Sequence, residues 1–330
     1  MFRQLKYSFV LLLILNVNCA FIPRISQMDR DSTNENQVYP PYRGLKKRLA
    51  VFDFENRSSL SNPKIGSAIS DMLISQLSRS QRFTLVERSQ IERIMQEQAL
   101  GQTGLIAEQS AAQVGQLLGV ESIVVGKILE AKQETGSHKF DNKKDKWNLS
   151  LKAVVGYAHI SYQLISTSTG EILSANDFFA KELKPGFDLE TKDYDVKNTF
   201  AFDQTVVGAA CRKAVYQIAA EIVKNADSVN WSGKVVQVTA DSLVYFKPGI
   251  SSGLTVGQVL NIFAKPEQVN DEGLVSDLPN QLNRPKARIE VTGFIGDKVT
   301  RARLLLGEPA TIGDLVKTIG KTDTTRPSQN

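Results

Sequence analysis

The spacing of apolar residues changes once along the chain, near Asn230 and Trp231, and this change constrains the fold more than any other feature. Before it, segments with the two-residue period of a strand alternate with segments that have the 3.6-residue period of an amphipathic helix. After it, short strand-like runs are separated by glycine and polar turns. The chain has 330 residues, of which 42% are hydrophobic, which is enough for two cores. We therefore expect two folded domains, over residues 46–228 and 231–320.

The first domain is predicted to combine strands with helices. The periodicity predicts strands over 49–54, 82–87 and 121–131, helices over 65–78, 89–100, 107–118 and 203–224, and a hairpin that turns at 168–170. Each strand and each helix has an apolar face that must be buried against another layer. This order therefore predicts an α/β (α+β) sandwich with a mixed sheet and flanking helices.

The second domain is predicted to contain strands alone. Its apolar runs lie at 233–238, 242–246, 258–264, 286–294 and 298–305. Short, evenly spaced strands of this kind are typical of small barrels and sandwiches. We expect a small all-β, barrel-like domain, followed over residues 321–330 by a disordered tail.

The first 18 residues have the pattern of an export signal. Arg3 and Lys6 supply positive charge, and an apolar run follows over residues 9–15. A helix needs about 20 apolar residues to cross a bilayer, so this run is too short. It has the length of the hydrophobic region of a signal peptide, and residues 1–18 are predicted to be one.

Cys19 directly follows this segment and is the predicted lipidation site. A cysteine at this place can receive a diacylglyceryl thioether and become the new N-terminus. Asn16 stands three residues earlier, where an aliphatic residue is usual, and the alternative is an ordinary signal peptide cut near Ala20. Residues 19–45 are polar and irregular, and they are predicted to form a flexible tether behind the lipid anchor.

The sequence contains no grouping typical of a catalytic, cofactor or metal site. His138 and His159 are the two histidines, and neither has a second His or Cys at ligand spacing. Asp53 and Glu55 near a strand end, like the neighbours Glu87 and Arg88, are predicted to have structural roles in solvation, capping or ion pairing. The net charge is +5, but acidic and basic residues are interleaved. We expect neither an enzyme nor a nucleic-acid or small-molecule binder.

Four segments, taken in order, resemble the family of the curli production assembly/transport component CsgG. They are KRLAVFDF at 47–54, LVER at 85–88 leading into IERIMQEQ at 91–98, GVESIVVG at 119–126, and STGEIL at 168–173. The resemblance covers roughly residues 46–226 and implies a lipid-anchored periplasmic α/β domain. The β-domain that follows is absent from the curli channel and looks like the domain appended to some envelope and flagellar assembly lipoproteins.

The best-known member of this family forms a ring-shaped outer-membrane pore to which each subunit gives two hairpins. The resemblance implies that residues 130–153 and 175–206 would be these hairpins. Lys143 and Lys144 are adjacent, so one of them would face lipid at a cost of about 2–4 kcal/mol. The loop over 55–64 is short and lacks the tyrosine and phenylalanine of the channel's constriction. We predict that residues 139–146 are exposed to solvent.

These features together predict a non-enzymatic, outer-membrane-associated periplasmic lipoprotein. It would be held by N-terminal acyl chains, palmitate among them, and act as a scaffold or accessory in envelope assembly or secretion. Protein partners are expected, with self-association into a ring as one form. Two alternatives remain: a subunit of an oligomeric CsgG-type secretion pore, and a lipoprotein regulator of a cell-wall synthase. The regulator needs a long reach, whereas a coil over residues 19–45 spans roughly 25–30 Å.

Overall fold

The computed structural model describes residues 39–97, 114–115, 117–142, 147–185, 202, 204–265 and 284–319. In the described part, the main strands and helices of the first domain are β1 (Lys47–Val51), β2 (Glu55–Asn56), α1 (Ile65–Arg79), β3 (Phe83–Leu85), α2 (Arg88–Glu97), β4 (Ser122–Asn142), β5 (Trp147–Ser166), β6 (Ile172–Pro185) and α3 (Val206–Lys224). The described residues belong to one compact unit that begins at Tyr39.

The sheet of this domain is mixed, as the sequence predicted. Its strands lie in the order β3-β1-β4-β5-β6, and the short β2 pairs beside β4. β3, β1 and β4 are parallel, with Leu49 opposite both Leu85 and Ser122. β4, β5 and β6 are antiparallel to their neighbours. The parallel pairs need crossovers, which α1 and α2 provide, whereas β5 and β6 are joined by the short turn at 167–171.

Helices α1 and α3 cover one face of the sheet. Leu49 of β1, Ile69 of α1, and Ile160 and Tyr162 of β5 lie in one buried cluster with Val215 of α3. The 3.6-residue spacing of apolar residues in the helices meets the two-residue spacing in the strands, so each element presents its apolar side to this cluster. Cys211 is fully buried in α3.

The opposite face of the sheet is covered over part of its length. A second cluster joins Ala50 and Phe52 at β1 to Ile91 of α2 and to Val114 and Leu118. Further along β6, Phe179 and Leu183 remain exposed, at 55% and 53%. The predicted helix over 107–118 is described at 114–115 and 117–118, where it is helical; its other residues lie outside the described part.

Strands β4 and β5 continue as a ribbon beyond the helices. The two strands pair from Ser122 opposite Ser166 to Asn142 opposite Trp147. The register shifts once, between Ile128 and Glu130, as at a β-bulge. Three of the four lysines behind the prediction for 139–146 lie between the strands, at 143, 144 and 146, outside the described residues. The solvent exposure of that segment therefore stays a prediction.

The second domain is a closed six-stranded barrel. Its strands are β7 (Ser232–Val238), β8 (Leu243–Lys247), β9 (Val259–Phe263), β10 (Ala287–Ile295), β11 (Val299–Gly307) and β12 (Leu315–Thr318), in the circular order β10-β11-β8-β7-β12-β9. Trp231, Phe246 and Ile289 belong to its buried core. The barrel-like prediction is confirmed, but β12 was missed, although this four-residue strand closes the barrel between β7 and β9.

Candidate functional site

A cleft of about 370 Å³ lies on the sheet face opposite α1 and α3. Lys127 of β4, Ser161 of β5 and Asp177 of β6 are neighbours across the strands and line its floor. Asp53, from the turn after β1, lies at its rim. Gln163 also lines the cleft, and its buried side-chain oxygen has no hydrogen-bond partner among the described residues.

Asp53 at the rim is held in a charge cluster around Arg88. The Arg88 guanidinium donates to Asp53 and, at 2.8 Å, to Glu92; Asp71 of α1 lies 3.8 Å away. Burial raises the pKa of Asp53, and its contacts with Arg88 and Ser70 oppose that rise. A carboxylate bound in this way is occupied by its guanidinium partner. Arg88 forms ion pairs, as predicted, but its partners are Asp53, Asp71 and Glu92 and not the adjacent Glu87.

Asp53 and Glu55 do not act as a pair. Glu55 instead binds Arg57, with 2.9 Å between its Oε1 and the Arg57 Nε. Two carboxyl groups that share catalytic work need a common proton or a common ligand. Here each carboxylate has its own guanidinium, so the arrangement supports an ion-pair role for both.

His159 and Ser161 lie on the same sheet face beside Asp177, and these three residue types form catalytic triads elsewhere. His159 Nε2 contacts the Asp177 carboxylate. The Ser161 hydroxyl, however, donates to the Lys127 carbonyl at 3.4 Å. Nucleophilic catalysis requires the serine to be bonded to the imidazole and the imidazole to the carboxylate, in series. Ser161 is bonded elsewhere, so the order that this chemistry requires is missing.

Within the described ranges, no three His, Cys, Asp or Glu side chains come together as a metal-binding group. Cys19, the predicted lipidation site, and the side chain of His138 lie outside the described residues. None of the helices in the described part is long and apolar enough to cross a membrane.

A buried carboxylate joins the two domains, and sequence reasoning missed it. Glu121, just before β4, is 9% exposed. Its carboxylate accepts hydrogen bonds from the backbone N–H of Arg48 and, at 3.3 Å, from that of Ser232 in β7. Burial raises the pKa of Glu121 to about 7, although the backbone N–H groups of Arg48 and Ser232 oppose the rise. Glu121 and Ser232 are 111 positions apart, so no local pattern could have paired them.

Parts of this chain are similar to known proteins. A protein of Neisseria meningitidis serogroup B that is named as a lipoprotein is 20% identical over 199 residues, which cover 58% of this chain and 81% of that protein. The hypothetical protein CT253 of Chlamydia trachomatis aligns at 16% identity over 56% of this chain and 99% of that chain, with a TM-score of 0.36. The LpoB C-terminal domain of Salmonella enterica aligns at 18% identity over 41% of this chain and 83% of that chain, with a TM-score of 0.31.

A longer match shows the family to which the chain belongs. Residues 37–244 match the family of the curli production assembly/transport component CsgG. This range includes the whole mixed-sheet domain, all of β7 and the first two residues of β8. The chain belongs to the CsgG family, as the four segments in its sequence indicated.

Proposed function

We propose that this chain is a non-enzymatic lipoprotein of the bacterial envelope that acts as a scaffold or accessory in envelope assembly or secretion. In this proposal Cys19 carries the lipid, the anchor lies in the outer membrane, and both folded domains lie in the periplasm. The observation that carries the proposal is membership of the CsgG family over residues 37–244. The lipoprotein name of the meningococcal relative supports the same class.

The geometry of the cleft supports a binding role in preference to catalysis. Asp53, Glu55 and Asp177 each contact a basic or imidazole side chain: Arg88, Arg57 and His159 respectively. A general acid or base must reach a substrate proton, so charged groups that bind one another are poorly suited to that work. They are suited to holding a fixed surface that a protein partner recognises.

The proposal is tested in cells by Cys19→Ala. Labelling with radioactive palmitate should mark the wild-type chain, and the variant should lose both the label and its pelleting with membranes. A strain without the protein should show altered amounts of envelope or secreted proteins, restored by the wild type but not by Cys19→Ala. Unchanged pelleting of the variant would reject lipid anchoring as the main attachment.

A subunit of an oligomeric secretion pore is the second candidate, and the length of the β4–β5 ribbon favours it. The two strands pair antiparallel from Ser122 opposite Ser166 to Asn142 opposite Trp147. A strand that crosses a membrane needs about 9–11 residues, so both strands are long enough. Purified protein added to planar lipid bilayers should then give single-channel steps. A preparation that gives no conductance steps at any protein concentration would exclude the pore.

A further inference from the structure

The described chain enters the folded part of the protein beside the barrel. Leu45 packs against the buried core of the barrel. The Lys46 N–H donates to the Ser252 carbonyl at 2.8 Å. The Gly44 carbonyl oxygen lies so close to Gly253 that a Cβ atom added to Gly253 would be 2.5 Å from it. The segment over 44–46 therefore ties the preceding chain to the barrel, although it leads into β1 of the first domain.

This position limits how far the barrel can lie from a lipid anchor at Cys19. The part of the predicted tether that precedes the described residues, 19–38, spans roughly 25 Å as a flexible coil. Because the chain meets the barrel shortly after this tether, a lipid on Cys19 keeps the barrel near the membrane surface. This step rests on the proposed function, whereas the charges of the barrel stand on the described residues alone.

The strands of the barrel are much more basic than the chain as a whole. The whole chain has 40 basic and 35 acidic residues. The six barrel strands contain six basic residues, Lys234, Lys247, Arg288, Arg301, Arg303 and Lys317, and one acidic residue, Glu290. Glu290 is bound by Arg303, with 2.6 Å between Oε2 and Nη2. Most of the positive charge in these strands is therefore not neutralised within them.

Four of these cations form a basic stripe on the outer surface of the barrel. Strands β12, β7, β8 and β11 are consecutive in the barrel, and they contain Lys317, Lys234, Lys247 and Arg301 respectively. The residues next to these cations in the same strands belong to the buried core of the barrel: Val316, Val235, Phe246 and Ala302. Since successive side chains of a strand point to opposite faces, the four cations lie on the outside.

The basic stripe is not neutralised by carboxylates of the described barrel. The ion pairs there are Lys286–Asp314 and Arg303–Glu290, and no residue of the stripe takes part in them. Lys234 and Lys247, both exposed, lie directly opposite each other on β7 and β8. Like charges directly opposite destabilise a strand pair. An anion bound between these two lysines would remove that repulsion, so the stripe is suited to a negatively charged partner.

Arg301 presents its guanidinium in a fixed position beside these lysines. Its Nε donates to Thr292 Oγ1 at 3.2 Å. A Cβ atom added to Gly293 would lie 3.3 Å from Arg301 Nη2, so the guanidinium lies against the bare backbone of that glycine. Tyr245 of β8 is opposite Arg301. A planar guanidinium suits the oxygens of a phosphate group, and tyrosine suits the boundary between a membrane and water.

We propose that the basic stripe of the barrel binds the phosphate headgroups of anionic lipids in the membrane that holds the anchor. The acyl chains keep the protein at the membrane, and the stripe determines which face of the barrel meets the lipid surface. Each basic residue close to an anionic membrane strengthens binding about five-fold. This attraction falls off within a Debye length, which is about 10 Å at 0.1 M salt.

Co-sedimentation with lipid vesicles tests this proposal without the acyl chains. The chain over residues 20–330 contains every described residue and lacks both Cys19 and the apolar run before it. It should bind vesicles of phosphatidylcholine with phosphatidylglycerol, and it should not bind phosphatidylcholine alone. Binding should weaken as the NaCl concentration rises, because salt screens the attraction.

A double variant tests the residues of the basic stripe. Lys234→Gln combined with Lys247→Gln should weaken vesicle binding about 25-fold, because two charges are lost. Its Tm should not fall, since the change also removes the repulsion between the two lysines. The matched control is Lys64→Gln combined with Lys224→Gln, which removes two exposed charges from the first domain and should leave vesicle binding unchanged.

Three results would overturn the proposal: equal binding to charged and uncharged vesicles, unchanged binding of the Lys234 and Lys247 double variant, or an equal loss in the control. Polyglutamate serves as a soluble polyanion. If it binds the 20–330 chain through the stripe while anionic vesicles do not, the partner is an acidic macromolecule and the lipid proposal is wrong. Because this chain has no lipidation site, the vesicle result stands even if Cys19 proves to be unmodified in cells.

Discussion

Glu121 and Ser232 connect the mixed sheet to the barrel through a hydrogen bond of 3.3 Å between the Ser232 backbone N–H and the Glu121 carboxylate. The same carboxylate accepts from the Arg48 N–H in β1, so one buried group touches both domains. A second link lies nearby, where the Lys46 N–H donates to the Ser252 carbonyl of the barrel at 2.8 Å. The junction is thus made of specific polar contacts as well as chain connectivity.

Glu121→Gln should make stability less dependent on pH. The folded-state pKa of about 7 lies above the ordinary glutamate pKa of 4.5, so the folded protein holds the proton more tightly than the unfolded chain. The contribution of this group to stability is therefore greatest below about pH 4.5 and declines as the pH rises towards 7. The difference between the two pKa values corresponds to a change on the order of 3 kcal/mol in the free energy of unfolding.

This prediction is checked by urea unfolding of both proteins at pH 5 and pH 8. The variant should gain stability relative to the wild type at pH 8, since glutamine keeps an acceptor for the Arg48 N–H without a buried charge. The control is Glu171→Gln at an exposed position. An identical pH dependence in wild type and Glu121→Gln would contradict the raised pKa.

Asp314→Ala should destabilise the barrel. Asp314 is 1% exposed, and it accepts from the Thr311 N–H at 2.7 Å and from Lys286 Nζ at 2.9 Å. Removing the carboxylate leaves the Thr311 N–H without its acceptor and the partly exposed Lys286 ammonium without its partner, at a cost of about 1–3 kcal/mol. Burial opposes ionisation of Asp314, but these hydrogen bonds outweigh it and lower its pKa. The stabilisation is therefore present above the unfolded pKa and is lost as the pH falls through the lowered value.

Thermal and urea unfolding of Asp314→Ala, with Asp241→Ala as the control at an exposed aspartate, measure this effect. The control should stay within about 0.5 kcal/mol of the wild type. An equally small effect at both positions would show that the Lys286–Asp314 contact contributes nothing to the barrel.

Gly126→Ala should destabilise the first domain through Phe54. A Cβ atom at position 126 would lie 2.1 Å from the Phe54 ring, and Phe54 is 2% exposed in the core. Overpacking of this kind typically costs about 1–3 kcal/mol. Gly136→Ala on the same strand is the matched control, since nothing lies within 4 Å of its added Cβ. Circular dichroism during heating should give a lower Tm for Gly126→Ala only.

Separation of the chain after residue 228 should give two pieces that each fold. The prediction rests on the two buried clusters, one built around Leu49 and Val215 and the other around Phe246 and Ile289. Each piece should show its own cooperative unfolding transition. If neither piece folds alone, the boundary between residues 228 and 231 is misplaced.

The elements that the sequence predicted are those fixed by local pattern. The helix over 65–78 matches α1 because its apolar residues recur with the helical period, and the turn at 168–170 ends on Gly170, whose φ of 73° suits glycine. The barrel strands were predicted for the same reason. β12 was missed because a four-residue strand gives too little alternation to recognise.

The site could not be predicted to the same extent, because its contacts join distant segments. Arg88 could be recognised as an ion-pair residue, but its partner Asp53 is 35 positions away and is selected by the parallel pairing of β1 and β3. The Glu121 junction depends on the docking of the barrel. The order of strands in the sheet is likewise not encoded by periodicity.

The central claim, that this chain is a lipid-anchored envelope protein, is tested most directly by mass spectrometry of the N-terminal peptide from membrane-purified protein. The account predicts that the mature chain begins at Cys19, without residues 1–18, and carries the added mass of a diacylglyceryl group and an amide-linked acyl chain. An unmodified N-terminus at Ala20 or beyond, or a chain that retains Met1, would contradict it.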